Sequence, residues 1–205
     1  MKIEYKVLQT KNNIEREQNV RILKHFIPQL QVTEADRQIL WQAYMLQYKL
    51  EKDSTGLVFI EDDVKLCKNF IERCEQVIAE REEDVISMFR ICTPNTVAEK
   101  GYRGGSAFNC MPCNYFPKWF CDEAIKEENQ KGFEEWYWKR EHVWSYPSDY
   151  YVRYLLMKLK KKYYAYFPHL VQHINYKSTL GSRPMNRKSN FFIDDLEKEK
   201  QSENN

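Results

Sequence analysis

The stretch Leu57-Val58-Phe59-Ile60-Glu61-Asp62-Asp63-Val64 constrains this chain more than any other. Four apolar residues, two of them β-branched, follow Thr55-Gly56 and run straight into three acids. A short apolar run bounded by glycine and by charge is the pattern of a strand buried on both faces, as in α/β sheets. Such a strand delivers its last residues to the carboxyl edge of the sheet, where open α/β folds bind ligands. Successive strand residues face opposite ways, so the three carboxylates cannot all converge on one point. One can stay structural while its neighbours hold a hard cation such as Mg²⁺ or Mn²⁺ through oxygen. The same acids equally suit the first turn of a helix, whose dipole favours negative charge.

The remaining pattern places this strand in a wider order. Residues 3–8 alternate imperfectly and predict a first strand, and residues 14–26 a helix with Ile14, Val20, Leu23 and Phe26 apolar. Residues 29–32 read as extended, and Thr33 with Asp36 three positions on predicts a second helix start. Ile39, Leu40, Ala43, Leu46 and Leu50 then form its apolar stripe. Beyond the acids, Val64, Cys67, Phe70, Ile71, Cys74, Val77 and Ile78 recur at spacings of three and four, which predicts a long helix to about Glu82. Residues 85–89 read as another buried strand. The order β-α-(β)-α-β-α-β predicts an α/β domain with a mainly parallel, Rossmann-like sheet flanked by helices.

The second half is less regular. Residues 93–105 have no period and contain Pro94, Gly101 and Gly104-Gly105, a long loop of the kind that carries function. Residues 106–111 read as a strand and 112–129 as a helix with Phe116, Trp119, Phe120 and Ile125 inward. Residues 133–144 mix aromatics and charge without an assignable period. Ser145-Tyr146-Pro147-Ser148-Asp149 opens a helix to about residue 159, with Ser148 as cap and Lys158, Lys160, Lys161 and Lys162 at its end. Residues 163–167 form a last strand. From residue 183 the composition turns polar, so the domain spans 1–182 and a mobile tail 183–205, in which Phe191-Phe192-Ile193 offers an apolar docking patch.

A net charge of +2 gives no global reason to expect nucleic acid or a membrane surface as partner. No apolar run approaches the roughly 18 to 20 residues of a membrane span, and the start lacks the apolar core of a signal peptide. Together with six cysteines that need no pairing, this predicts a cytoplasmic chain. Cys67 and Cys74, seven apart on one helix face, would lie about 10 Å apart, too far for a disulfide, and read as core residues. Cys110-Met111-Pro112-Cys113 is a lone CxxC. Zinc would have to recruit Cys121 and His142, and a redox role would need an early strand before a helix, so neither is favoured. Trp136, Trp138, Trp144, Tyr146 and Tyr150 read as core or lid, or as a platform that stacks on an acceptor sugar or base.

Three separated features remain: Glu61-Asp62-Asp63 at a strand end, Asp149 at a helix head, and Pro168-His169-Leu170-Val171-Gln172-His173 followed by Ser178-Thr179-Leu180-Gly181. Their order resembles that of GT-A-fold glycosyltransferases, and the chain is most similar to glycosyltransferase family 25, the lipopolysaccharide-type sugar transferases. The run FPHLVQHINYKSTLG is also similar to N-acetylglucosaminyltransferase IV-like enzymes of that fold. The resemblance covers roughly residues 3 to 181 and implies a single GT-A-like domain. In such families an acidic motif like Ile60-Glu61-Asp62-Asp63 binds a divalent cation, which in turn binds the diphosphate of a nucleotide sugar.

The resemblance implies Asp63 and His173 as metal ligands, with Asp62 reaching the ribose or a metal-bound water. It implies Asp149 as the general base of an inverting transfer. Leu8, Thr10 and Arg16 match a strand-loop-arginine pattern, and Gly105 and Ser106 a glycine-containing stretch; with Glu61 and Asp62 they would bind the donor. Mixed histidine and carboxylate ligation favours Mn²⁺ over Mg²⁺, acting as Lewis acid on the leaving diphosphate. The expected donor is a UDP-sugar and the acceptor a glycan or other hydroxyl. Alternatives are a nucleotidyl- or phosphotransferase, a catalytically degenerate GT-A domain that binds nucleotide or protein, and a transferase acting on a nucleic-acid base. Plainer roles stand beside these: Asp149 as helix cap, His173 as a core histidine, His169 as structural.

Overall fold

Along Gly56–Glu61 the side chains alternate between two separate cores, Val58 and Ile60 in one, Leu57 and Phe59 in the other. A strand that buries both faces must lie inside a layered sheet, with helices above and below. The computed structural model describes residues 1–36, 38–89, 101–105, 108, 111–138, 147–174, 189 and 191–194.

The elements in chain order begin with β1 (Ile3–Thr10), α1 (Ile14–Phe26), β2 (Gln31–Ala35), α2 (Leu40–Gln47) and β3 (Gly56–Glu61). There follow β4 (Val64–Leu66), α3 (Phe70–Glu80), β5 (Val85–Ser87), β6 (Gly101–Gly105) and β7 (Cys113–Pro117). The last are α4 (Lys118–Ala124), α5 (Glu127–Trp138), α6 (Pro147–Lys158), β8 (Tyr163–Phe167) and β9 (Val171–His173). Among the described residues seven strands form one sheet in the order β2-β1-β3-β7-β5-β8-β6, and β4 pairs with β9 as a separate ribbon. Strands β2, β1, β3, β5 and β8 run one way, while β7 and the edge strand β6 run against them. Helices α1 and α3 cover one face; α2, α4, α5 and α6 cover the other. Among the described residues no helix is long and apolar enough to cross a membrane.

The α/β expectation holds, and the departures have identifiable causes. Residues 113–117 are a central strand, not the start of a helix. Phe116 and Phe120, four apart, mimic a helical stripe, but Cys113 through Phe116 are all buried, and a run buried on both faces carries no period. Val64 and Cys67 fit the spacing of the following helix, yet β4 intervenes and α3 starts only at Phe70. Thr33 lies in β2 rather than capping a helix; Asp36 instead accepts the Gln38 and Ile39 N–H groups at 2.9 and 3.2 Å in the turn before α2. Leu46 and Ile39 are exposed, because α2 buries Ala43, Tyr44, Met45 and Gln47. Residues 101–105, read as part of a long loop, form the edge strand β6, and the unassigned aromatic stretch begins inside α5. Residues 93–100, 106, 107, 109 and 110 lie outside the described residues.

Two predictions arise from this packing. A Cβ on Gly56 would overlap the Tyr115 ring, which is pinned by a 2.9 Å hydrogen bond from its hydroxyl to the Glu82 carbonyl. Gly56→Ala is therefore expected to cost about 1–3 kcal/mol, the usual penalty of overpacking, read from denaturant midpoints. Cys67, Cys74, Cys113 and Cys121 are buried free thiols, and burial raises the pKa of Cys74, Cys113 and Cys121. At pH 8, no more than two of the six thiols should react with Ellman's reagent until the chain is unfolded, when all six should.

Candidate metal centre

The loop after β1 turns back sharply at Asn12, whose φ of 59° suits asparagine better than most residues. Asn13 then caps α1, its side chain accepting the Arg16 N–H at 3.1 Å. This sets Arg16 in the first helical turn with its guanidinium over the end of β3. It forms a buried ion pair with Asp62 and a second, at 2.8 Å, with Asp63. The other Asp62 oxygen accepts the Thr10 N–H at 2.6 Å. One turn further along α1, Asn19 donates to the carbonyls of Asp62 and Val64, both at 2.9 Å. The Glu61-Asp62-Asp63 turn is thus fastened to β1 and α1 through side chain and backbone alike.

Burial pushes the Asp62 carboxyl above its ordinary range, with Arg16 and the Thr10 N–H pulling the other way. For Arg16, burial works against the charge, but Asp63 and Asp62 outweigh it and the guanidinium is held more firmly cationic. With both oxygens committed, Asp62 acts as the structural member of the acidic triplet.

Asp63 faces the second ribbon. Its carbonyl accepts the Ile174 N–H at 2.7 Å, and β9 sets His173 opposite Val64. The His173 Nε2 lies 3.4 Å from Asp63 Oδ2. Asp63 Oδ1 is buried and has no hydrogen-bond partner among the described residues. Glu61 completes the group: one donor atom each from Glu61, Asp63 and His173 lie within 4.8 Å of one another. Ligands on opposite sides of a cation at about 2.1 to 2.4 Å lie roughly 4.2 to 4.8 Å apart, so these donors fit around one divalent ion without rebuilding the backbone. Two carboxylates and an imidazole suit Mn²⁺ and Zn²⁺ better than Mg²⁺.

The opposite side of the site is built by α2 and α6. Strand alternation sends Glu61 to the face of Leu57 and Phe59, where Tyr44 of α2 packs on Phe59 with ring centroids 5.5 Å apart. Burial raises the Tyr44 phenol well above its ordinary value; the charges of Glu61 and Asp149 add to this, and a hydrogen bond with Ser148 opposes it. Glu61 and Asp149 therefore act on one buried phenol. The chain leaves α6 directly into the amino end of β8, so the head of α6, with Asp149 in its first turn, sits at the carboxyl edge.

Of the expected site residues, the structure brings together Arg16, Glu61, Asp62, Asp63 and His173. Thr10 contributes through its backbone. Leu8 is a core residue beneath the site, paired with Glu61 across β1 and β3. Gly105 is placed elsewhere: β6 runs antiparallel to β8 and sets Gly105 opposite Tyr163, at the amino end of the sheet. Four strand spacings separate β6 from β3, about 19 Å, so Gly105 does not share the site. Ser106 lies outside the described residues. Asn19 and Tyr44 went unrecognised; Asn19 stands three residues from Arg16 on the same helical face, the one signal that could have found it.

The other motifs resolve more simply. His169 is fully buried between the rings of Phe89 and Phe167, with Nδ1 2.6 Å from the Ser189 hydroxyl, a structural placement. Trp136 and Tyr150 pack against Phe133, Tyr154 and Tyr137; the Trp138 side chain, Trp144 and Tyr146 lie outside the described residues, as does Cys110 of the CxxC. Lys158 donates to Asn129 Oδ1 at 2.5 Å, tying the end of α6 to α5.

No family model matches the chain, and no curated protein matches it. Among solved structures, the crystal structure of A197 from STIV superposes with a TM-score of 0.50 at 11% identity, covering 85% of this chain and 86% of that one. That likeness extends to the α/β architecture alone.

Proposed function

We propose that this chain is a metal-dependent, inverting glycosyltransferase of GT-A-like fold that moves a sugar from a nucleotide-diphosphate donor to an acceptor hydroxyl. The observation that carries the reading is the meeting of Glu61, Asp63 and His173 within 4.8 Å at the carboxyl edge of the sheet. Carboxylate and imidazole donors of that kind suit Mn²⁺, which when bound would supply Lewis-acid stabilisation to a leaving diphosphate. Asp63 and His173 ligate it, joined by Glu61. Arg16, Asp62 and the Thr10 N–H hold the turn that presents them. Asp149, at the head of α6 on the same edge, takes the proton from the acceptor hydroxyl. A UDP-sugar is the donor, a glycan hydroxyl the acceptor and the cytoplasm the setting in this reading.

Arg16 already neutralises one oxygen of Asp63, and that pair favours a second reading, a catalytically degenerate domain that binds nucleotide without turnover. Thermal unfolding with UDP-sugars, with and without Mn²⁺, separates the two. A ligand at a hundred times its dissociation constant adds about 2.7 kcal/mol of stability, a readable rise in Tm. A Mn²⁺-dependent rise that disappears in Asp63→Ala supports the transferase. A rise indifferent to Mn²⁺ supports the degenerate domain, and no rise with any nucleotide sugar sinks the donor site.

A further inference from the structure

We propose that the C-terminal segment containing Ser189 and residues 191–194 is a clamp that positions His173, with Gln172 and Ser189 as its positioning residues. The inference rests on the metal reading only in what it says of cation binding.

The ribbon that carries His173 is slight. β4 and β9 contribute three residues each, paired antiparallel, and an isolated two-stranded ribbon is marginal in water. Something besides the pairing must hold it. Strand alternation in β9 points His173 toward Asp63 and turns Gln172 the other way. There Gln172 makes two hydrogen bonds to the Ser189 backbone: its Nε2 donates to the carbonyl at 2.8 Å, and its Oε1 accepts the N–H at 2.7 Å. The Ser189 hydroxyl lies 2.6 Å from His169 Nδ1 and accepts the Phe191 N–H at 3.0 Å.

The following residues continue the contact. His169 donates its N–H to the Phe191 carbonyl at 2.7 Å and accepts the Ile193 N–H at 3.1 Å. Phe192 is buried in the core, with the Lys65 ammonium of β4 over its ring at 5.2 Å. Asp194 accepts the Lys68 N–H at 3.1 and 3.2 Å, just past the end of β4. Both strands of the ribbon, the turn after β4 and the turn before β9 are therefore bound from outside by one late segment. None of its atoms belongs to the cation group, so its influence on that group passes through the position of β9.

The test uses the full chain with Gln172→Ala and Ser189→Ala, and Gly56→Ala as a control that strains the amino end of the sheet. Amide hydrogen exchange at Leu170 and Ile174 reads the ribbon, since their N–H groups bond to Met88 and Asp63 respectively. Calorimetry with Mn²⁺ alone reads the cation group. Gln172→Ala and Ser189→Ala are expected to speed exchange at both amides at least tenfold and to weaken Mn²⁺ binding at least fivefold. Gly56→Ala is expected to lower Tm with neither change. Native exchange rates in both clamp variants overturn the clamp. Faster exchange with unchanged Mn²⁺ affinity overturns its bearing on His173. If the wild-type chain binds no Mn²⁺, the metal reading falls, and the clamp stands or falls on the exchange rates.

Discussion

Arg16→Ala is expected to destabilise the fold by about 3–5 kcal/mol, the scale of losing one partner from a buried ion pair. The guanidinium is the cation shared by Asp62 and Asp63, whose side chains are only 3% and 9% exposed. Without it, two buried carboxylates face each other across one turn. Arg16→Lys should recover part of the loss at most, because an ammonium cannot present the planar fork that spans two carboxylates. Urea unfolding at neutral pH checks both. Millimolar Mn²⁺ should stabilise Arg16→Ala more than wild type, since a cation at Asp63 then relieves a charge that arginine no longer offsets. Equal stabilisation of the two would place Mn²⁺ elsewhere.

Lys6→Met is the second large effect, also about 3–5 kcal/mol at neutral pH. Glu4 and Lys6 point to the same face of β1 and form a buried pair at 2.9 Å. The Lys6 ammonium also donates to the carbonyls of Gln47 and Lys49, at 3.1 and 2.5 Å, where α2 ends. Burial alone would raise the Glu4 carboxyl, but the nearby Ser54 hydroxyl, the Lys6 ammonium and the Glu51 N–H together hold it below its ordinary value. A depressed acid stabilises the fold above its unfolded pKa, near 4.3, and loses that contribution as pH falls through its folded value. In Lys6→Met the buried Glu4 charge lacks its cation, so protonation brings relief instead of loss. The stability gap between wild type and Lys6→Met should therefore narrow between pH 7 and pH 4.5. A gap of equal size at both would show that Glu4 is not its source.

What could be read from the sequence is what local pattern encodes. The apolar positions Ile14, Val20, Leu23 and Phe26 placed α1 at residues 14–26, and the run into Glu61-Asp62-Asp63 placed β3 and the acids at a sheet edge. The pairing of Asp63 with His173, more than a hundred residues apart, was implied by the family resemblance and not by any local pattern, and the structure sets the two 3.4 Å from each other. Where the reading failed, the cause was tertiary. β7 is buried on both faces and so shows no alternation. β4 has three residues, too few for a period, and its Val64 happens to continue the helical spacing of α3. The misplacement of Gly105 follows from the direction of β6, which nothing within Gly101–Gly105 encodes. The cation group gained Glu61 because Asp62 and Asp63 lie beyond the strand, where the rule of alternate faces no longer applies.

The place of β7 bears on how this chain acquires its shape as it is made. β2-β1-β3 is complete by residue 61 and β5 by residue 87, yet among the described residues no pairing joins these two halves directly. Among the described residues they are joined in the sheet through residues 113–117, which pair with Leu57, Val58, Phe59 and Ile60 on one side and Ile86 and Ser87 on the other. Until that keystone leaves the ribosome, β3 is an open edge of Leu, Val, Phe and Ile, a template for pairing with other nascent chains. The vulnerable interval in synthesis thus runs from about residue 61 to residue 117. A pause within it would expose the adhesive strand for longest, and one after it would leave that strand paired on both sides.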